Sequence, residues 1–162
     1  MDLTSLSELL LNGMSLSGVN FEHSNLGGAN LKGVDLRNVR LAGAGLSGSH
    51  LDNANLSKVD LRTTIFNYAE LNEAFLCDAI LAGSKLQYAI LRKAKLNKAS
   101  LEGADHVNAD LFEADLSHAC LVDTDLSGAL LKGANLSFST LVRTKLKGAI
   151  ITGCRIYGIL AW

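Results

Sequence analysis

The 162-residue chain contains no proline. A chain that never gives up a backbone N–H is suited to a continuous ladder of main-chain hydrogen bonds. Aromatic residues make up only 6%, so any core is aliphatic. Cys77, Cys120 and Cys154 are odd in number and widely spaced, which provides neither a disulfide framework nor a zinc-ligand spacing, and the expected setting is a reducing, cytoplasmic one. Charge of one sign is also missing. Lys plus Arg number 15 against 16 Asp plus Glu, which argues against a basic nucleic-acid binder and against a strongly acidic protein. No window approaches the roughly 18 consecutive apolar residues of a membrane span. The N-terminus lacks the basic-then-apolar build of a signal peptide. There is no nucleophile with its base, no phosphate loop and no metal-ligand motif. Neither catalysis, a cofactor, a bound metal nor a membrane partner is expected.

What is present is a strict period of five. From Leu6 to Ile156 a large apolar residue returns every fifth position; 26 of these 31 centres are Leu, with Phe21, Phe66, Ile151, Ile156 and His106 as the others. Two residues before each centre, from Val19 to Cys154, only small side chains occur, 16 of the 28 being Ala. A step of five advances an α-helix by about 500°, so the leucines would spiral around it and form no stripe. In a flat strand an odd step sends successive leucines to opposite faces. The remaining solution turns the backbone at each repeat, pointing both columns at one axis, which is a solenoid. Thirteen of the 15 Gly fall two residues after a centre, where the chain must bend.

The units Ala29-Asn30-Leu31, Ala54-Asn55-Leu56, Ala109-Asp110-Leu111, Ala114-Asp115-Leu116 and Ala134-Asn135-Leu136 resemble the A(D/N)Lxx signature of the pentapeptide-repeat family over about nine-tenths of the chain. The resemblance implies an all-β fold, a right-handed quadrilateral parallel β-helix with four repeats, hence 20 residues, per coil, and so about eight coils here. The charges agree with that length: ten opposite-sign pairs lie 20 apart, including Lys85/Asp105, Lys95/Asp115 and Asp125/Lys145, against two like-sign pairs.

Residues 1–15 depart from the pattern, since Leu9 and Met14 are too large for the small column. Ser5 and Glu8 have capping-box spacing, and Leu6, Leu9 and Leu10 share a helical face, so a short N-terminal capping helix is expected over 1–15. The β-helix is expected over 16–158, with 159–162 as its end or the start of a further segment. Ile159 is too large for the small column there.

Ile65, Tyr68 and Tyr88 fall in columns that face water, with the tyrosines 20 apart and able to stack, and they form the candidate partner-binding patch. Ile156, Ile159, Leu160 and Trp162 leave the C-terminal end apolar, and an open apolar edge invites association. Gyrase-binding members of the family pair through their C-terminal ends, so the resemblance implies a homodimer joined there. His106, pointing into a leucine stack, must be neutral and hydrogen-bonded or swing its ring outward.

The function expected from these features is a rigid, non-catalytic scaffold that binds another protein and does not contact nucleic acid directly. The alternative implied by the family is a DNA mimic that binds DNA gyrase. About eight coils at roughly 4.8 Å make a rod near 38 Å, which needs on the order of 20 phosphate-like charges to copy a duplex. Acids nearly cancelled by bases do not supply them.

Overall fold

The computed structural model describes residues 16–161. The capping helix expected over 1–15, and Trp162, lie outside the described residues. Residues 16–155 wind into seven complete coils of a parallel β-helix, and 156–161 begin another. Every bridge between neighbouring coils joins a residue to the one 20 further on, as in His50 to Glu70 and Glu70 to Ile90. Each coil has four sides, numbered here by their centres: the first carries Leu36 and Leu56, the second Leu41 and Leu61, the third Leu46 and Phe66, the fourth Leu51 and Leu71.

One repeat shows how five residues make a side and a corner. Ala69 and Leu71 point inward and are fully buried, while Glu70 between them faces out. Asn72 and Glu73 form the corner, closed by the Ala74 N–H donating to the Leu71 carbonyl at 3.1 Å. Glu73 has φ 57°, which gives the corner the backbone of a type II turn. All 29 corner residues from 18 to 158 adopt this left-handed conformation, 17 of them not glycine. The cost to an L-residue there, about 1 kcal/mol or more, is met by the ladder. The Leu51 N–H donates to the Glu70 carbonyl at 2.6 Å, Glu70 N–H to Ser49 at 2.9 Å, and Asn53 N–H to Asn72 at 2.9 Å.

The core is a stack of leucine layers interleaved with alanine, buried from Leu16 to Leu141. A larger residue in the alanine column disturbs it at one place. On the second side Val19, Val39 and Val59 lie above one another in that column, where Ala79, Ala99 and Ala119 follow. The side bridges Asn20 to Arg40 and Asp60 to Ile80, but Arg40 and Asp60 do not bridge. The N–H groups of Asn38, Leu41 and Asp60 have no backbone acceptor there. We attribute the gap to Val39 packed on Val59, because the γ-methyls need room that an alanine slot lacks.

At the other end the coil pattern continues through Leu160, which bridges Thr140, two residues beyond the expected stop. Ile159 turns inward and packs on the core, although it is too large for the small column elsewhere. It rests above Ser139, with no further described coil beyond to crowd it.

Candidate interaction surfaces

Tyr68 and Tyr88 meet at the corner between the third and fourth sides, their rings parallel to within 2° and 5.1 Å apart. They are 63% and 48% exposed. Ile65 stands half-buried on the third side just before this corner, and exposed Ile90 on the fourth side just after it. The register therefore brings the three predicted patch residues to one edge of the rod. The corner column offers only Gly28 and Gly48 before the pair, and Asn108, Gly128 and Gly148 after it, so the tyrosines stand proud of their surroundings.

A second aromatic group escaped the sequence reading. His118 and Phe138 stack at 4.9 Å on the corner between the first and second sides, and Tyr157 meets Phe138 edge-on at 5.3 Å. The signal was available, since His118 and Phe138 are 20 apart in the same column type as the two tyrosines.

Among the described residues nothing covers the last coil at the C-terminal end. Ile151 and Ile156 are 52% and 58% exposed, and Leu160 is exposed. Ile151 and Ile156, with Leu136, Leu141, Leu146, Gly153, Cys154 and Ile159, line an apolar concavity of about 210 Å³. The N–H groups of Leu146, Ile151 and Ile156 donate to no backbone carbonyl among the described residues. Exposed Ile150, Phe138 and Tyr157 flank this end.

Charged side chains on the flanks are mostly engaged with one another. Arg143 grips Asp123 at 2.6 Å and Lys145 reaches Asp125 at 3.1 Å, both one coil apart. Lys93 lies 3.9 Å from Glu113 but forms no ion pair with Glu73. Two geometries went unforeseen. Arg37 and Arg62 fork back onto Asp35 and Asp60 two residues earlier, and the Arg37 guanidinium holds the Asp35 carboxyl down at about 2. Arg40 and Arg92 reach Glu22 and Asp110 at a spacing of 18, because a residue just past a centre on one coil lies beside the mid-side residue of the next. On the fourth side His50 Nδ1 is 2.7 Å from Glu70 Oε2, and Asp52 accepts from Lys32 at 2.9 Å and from Asn72 Nδ2 at 2.8 Å. Burial pushes the Asp52 carboxyl up, but these hydrogen bonds outweigh it and hold it below its ordinary value.

His106 follows neither expectation. Its ring points inward at 1% exposure, and neither nitrogen has a hydrogen-bond partner. Burial lowers its pKa to about 4, against a smaller opposing pull from Asp105, so the imidazole is neutral. Ser84, one coil earlier on the same side, also leaves its buried hydroxyl unpaired. Burial and then the charge of Asp78 raise the Cys77 thiol, whose proton is shared with Asn97 Oδ1 at 3.0 Å. Among the described residues no three His, Cys, Asp or Glu side chains gather closely enough to hold a metal ion.

Eight copies of the family model described as "Pentapeptide repeats" match the chain in overlapping windows from residue 15 to residue 148. No protein of curated function matches. Among solved structures, the chain is similar to the pentapeptide repeat protein Rfr23 from the cyanobacterium Cyanothece 51142, at 32% identity and a TM-score of 0.44. That match covers 60% of this chain and only 63% of that one. It is also similar to HetL from Nostoc sp. strain PCC 7120, a pentapeptide repeat protein involved in heterocyst differentiation regulation, at 27% identity and a TM-score of 0.41, covering 88% of this chain and 81% of that one. A third is QnrB1, a plasmid-mediated fluoroquinolone resistance protein, at 21% identity and a TM-score of 0.49, covering 88% of this chain and 77% of that one.

Proposed function

The chain belongs to the pentapeptide-repeat family, whose fold is the right-handed quadrilateral β-helix, and from that premise we propose that it is a non-catalytic rod that binds another protein along the corner carrying Tyr68 and Tyr88. The stack itself carries this reading. Two large aromatic side chains occupy a position with φ 62° and 57°, where glycine or asparagine is favoured and any other residue costs about 1 kcal/mol or more. Twelve other corners form with glycine, so the fold does not need tyrosine there. Rigid, exposed aromatics are what protein interfaces use as anchors.

The test replaces both tyrosines by asparagine, which suits the left-handed corner. Wild-type protein immobilised as bait should retain a specific partner that Tyr68→Asn/Tyr88→Asn loses, although the variant's melting temperature is no lower than the wild type's. Equal retention by both would overturn the assignment of the site. Weighing against a gyrase-binding DNA mimic is the pairing of most acids on the flanks with Arg and Lys of the same or neighbouring coils; among the described acids only Glu73, Asp78, Glu102, Asp105 and Asp115 lack such a partner, too few to imitate a phosphate row.

The open C-terminal end fits the second part of the proposal, a homodimer joined around Ile156, Ile159, Leu160 and Trp162. Apolar surface with unpaired main-chain donors is a template for association. Light scattering at tens of micromolar should give twice the chain mass, and Ile156→Lys should return it to a folded monomer. A monomeric wild type would remove this part and leave the corner site standing.

A further inference from the structure

The gap on the second side has a geometry that goes beyond the proposed binding role. Leu41 and Val39 are almost completely buried, yet the Leu41 N–H and its natural acceptor, the Asp60 carbonyl, are not hydrogen-bonded, nor are the Asp60 N–H and the Val39 carbonyl. A polar groove of about 540 Å³ runs along this level, lined by Arg37, Asn38, Arg40, Ser57, Lys58 and Asp60 among others. The same two coils remain joined on the other three sides, through the bridges Asn55 to Phe75, Gly45 to Ile65 and His50 to Glu70. Beside the gap one side-chain bond crosses, from the Thr64 hydroxyl to the Leu41 carbonyl at 3.0 Å, whereas the fourth side, across the core from the gap, is fastened both by its bridge and by side chains. There His50 meets Glu70 and Asn72 donates to Asp52 from coil to coil.

A rod open on one side and clasped on the opposite side has a bending direction. We propose that the solenoid is hinged at this level: widening of the gap between Arg40 and Asp60 tilts the coils before it toward the fourth side, with the His50–Glu70 and Asp52–Asn72 contacts as the pivot. We assign the open ladder to the Val39–Val59 stack, whose members are both enclosed, whereas the Val19–Val39 stack, with Val19 only partly buried, keeps the bridge from Asn20 to Arg40. Buried main-chain groups left without protein partners are met by water or not at all, and either condition lowers the barrier to local opening. The coils after the gap have complete second-side ladders, from Leu61 N–H to Ile80 and onward, and move as one body. The orientation of the N-terminal coils relative to the Tyr68–Tyr88 corner is then variable, and a partner spanning both selects one bend.

Native-state amide exchange and residual dipolar couplings on the full chain test this. The amides of Leu41 and Asp60 should exchange at least about tenfold faster than those of Leu46 and Leu61, which lie on the same two coils and donate to Ile65 and Ile80 on the coils that follow. The couplings of residues 16–35 should require a smaller degree of order than those of residues 61–141. In Val39→Ala/Val59→Ala the gap should close, the two amides should gain the lost protection, and one alignment should fit both segments. Protection of Leu41 and Asp60 equal to that of Leu46 and Leu61 in the wild type would overturn the open ladder. A single alignment for the wild type would overturn the bend even if those amides were fast.

Discussion

The middle of the rod and its C-terminal end are built from the same five-residue unit, yet one buries its centre residues completely and the other exposes them. Leu111 and Ile151 occupy one column of the fourth side, two coils apart; the first is inaccessible and the second is 52% exposed. Burial in a solenoid comes from the coils above and below, and a repeat has only the stability its neighbours lend it.

The strongest way to break this comparison is to put the same charge at both levels. Leu111→Asp places a carboxylate in a dry aliphatic stack and should cost about 4 kcal/mol or more, whereas Ile151→Asp should cost about 1 kcal/mol or less. Urea midpoints read the difference, and similar midpoints would mean the end coil is covered in solution.

Next in size is the acid response of His106. With a folded pKa of about 4 against 6.5, the unfolded chain takes up the proton first. The contribution is complete above pH 6.5, is lost as pH falls toward 4, and amounts to about 3 kcal/mol. His106→Leu should lack this loss and should be the more stable protein at neutral pH, because two unpaired nitrogens leave the core. Denaturation of both proteins across pH 4–7 measures it by difference, since His23, His50 and His118 are common to both.

Smaller again are the corner glycines. Gly128 and Gly148 share a column and a positive φ, 69° and 72°. A Cβ on Gly128 would run into Asn108 Oδ1, while one on Gly148 meets only ordinary contacts with Gly128 at 3.9 Å. Gly148→Ala should therefore cost about 1 kcal/mol and Gly128→Ala about 2 kcal/mol, unless Asn108 swings aside. The Gly128→Ala/Asn108→Gly double variant, which keeps a residue suited to the left-handed corner at 108, should recover the difference in a thermal melt. The least effect belongs to the flank: Lys93→Glu removes one exposed pair and opposes Glu73 and Glu113, which should cost at most about 1 kcal/mol and vanish in high salt.

The inward columns could be read from the period of five alone, and with the coil of 20 that the family resemblance implies and the charge spacing supports, each side chain has one possible address, so the stacking of Tyr68 on Tyr88 could be read as well. Departures from regularity were harder to read. Three valines in one alanine column were visible as letters, but whether a ladder stretches or breaks over them depends on how far the backbone can yield. His106 was visible as an odd centre, yet its lack of any partner depends on what the neighbouring Ser84 and leucine side chains present. Ile159 was judged by the volume of a slot in mid-rod, and at the last described coil that slot has no ceiling. The spacing of 20 also pointed to adjacent-coil ion pairs, but not to the 18-residue reach of Arg40 and Arg92, which depends on side-chain length around a corner.

Every bridge in the ladder spans the same sequence distance of 20 residues, and that constancy sets the order in which the chain can acquire its structure. Closing the first loop of that size is an entropic loss with little return. Each later coil lays down an equal loop against an edge that already exists, so its burial and hydrogen bonds offset the loss at once. The topology accordingly divides folding into one slow nucleation and a run of similar, fast additions, and the mean separation of contacting residues stays fixed however many coils are added. Relative contact order, which slows most β proteins, therefore falls as such a rod lengthens.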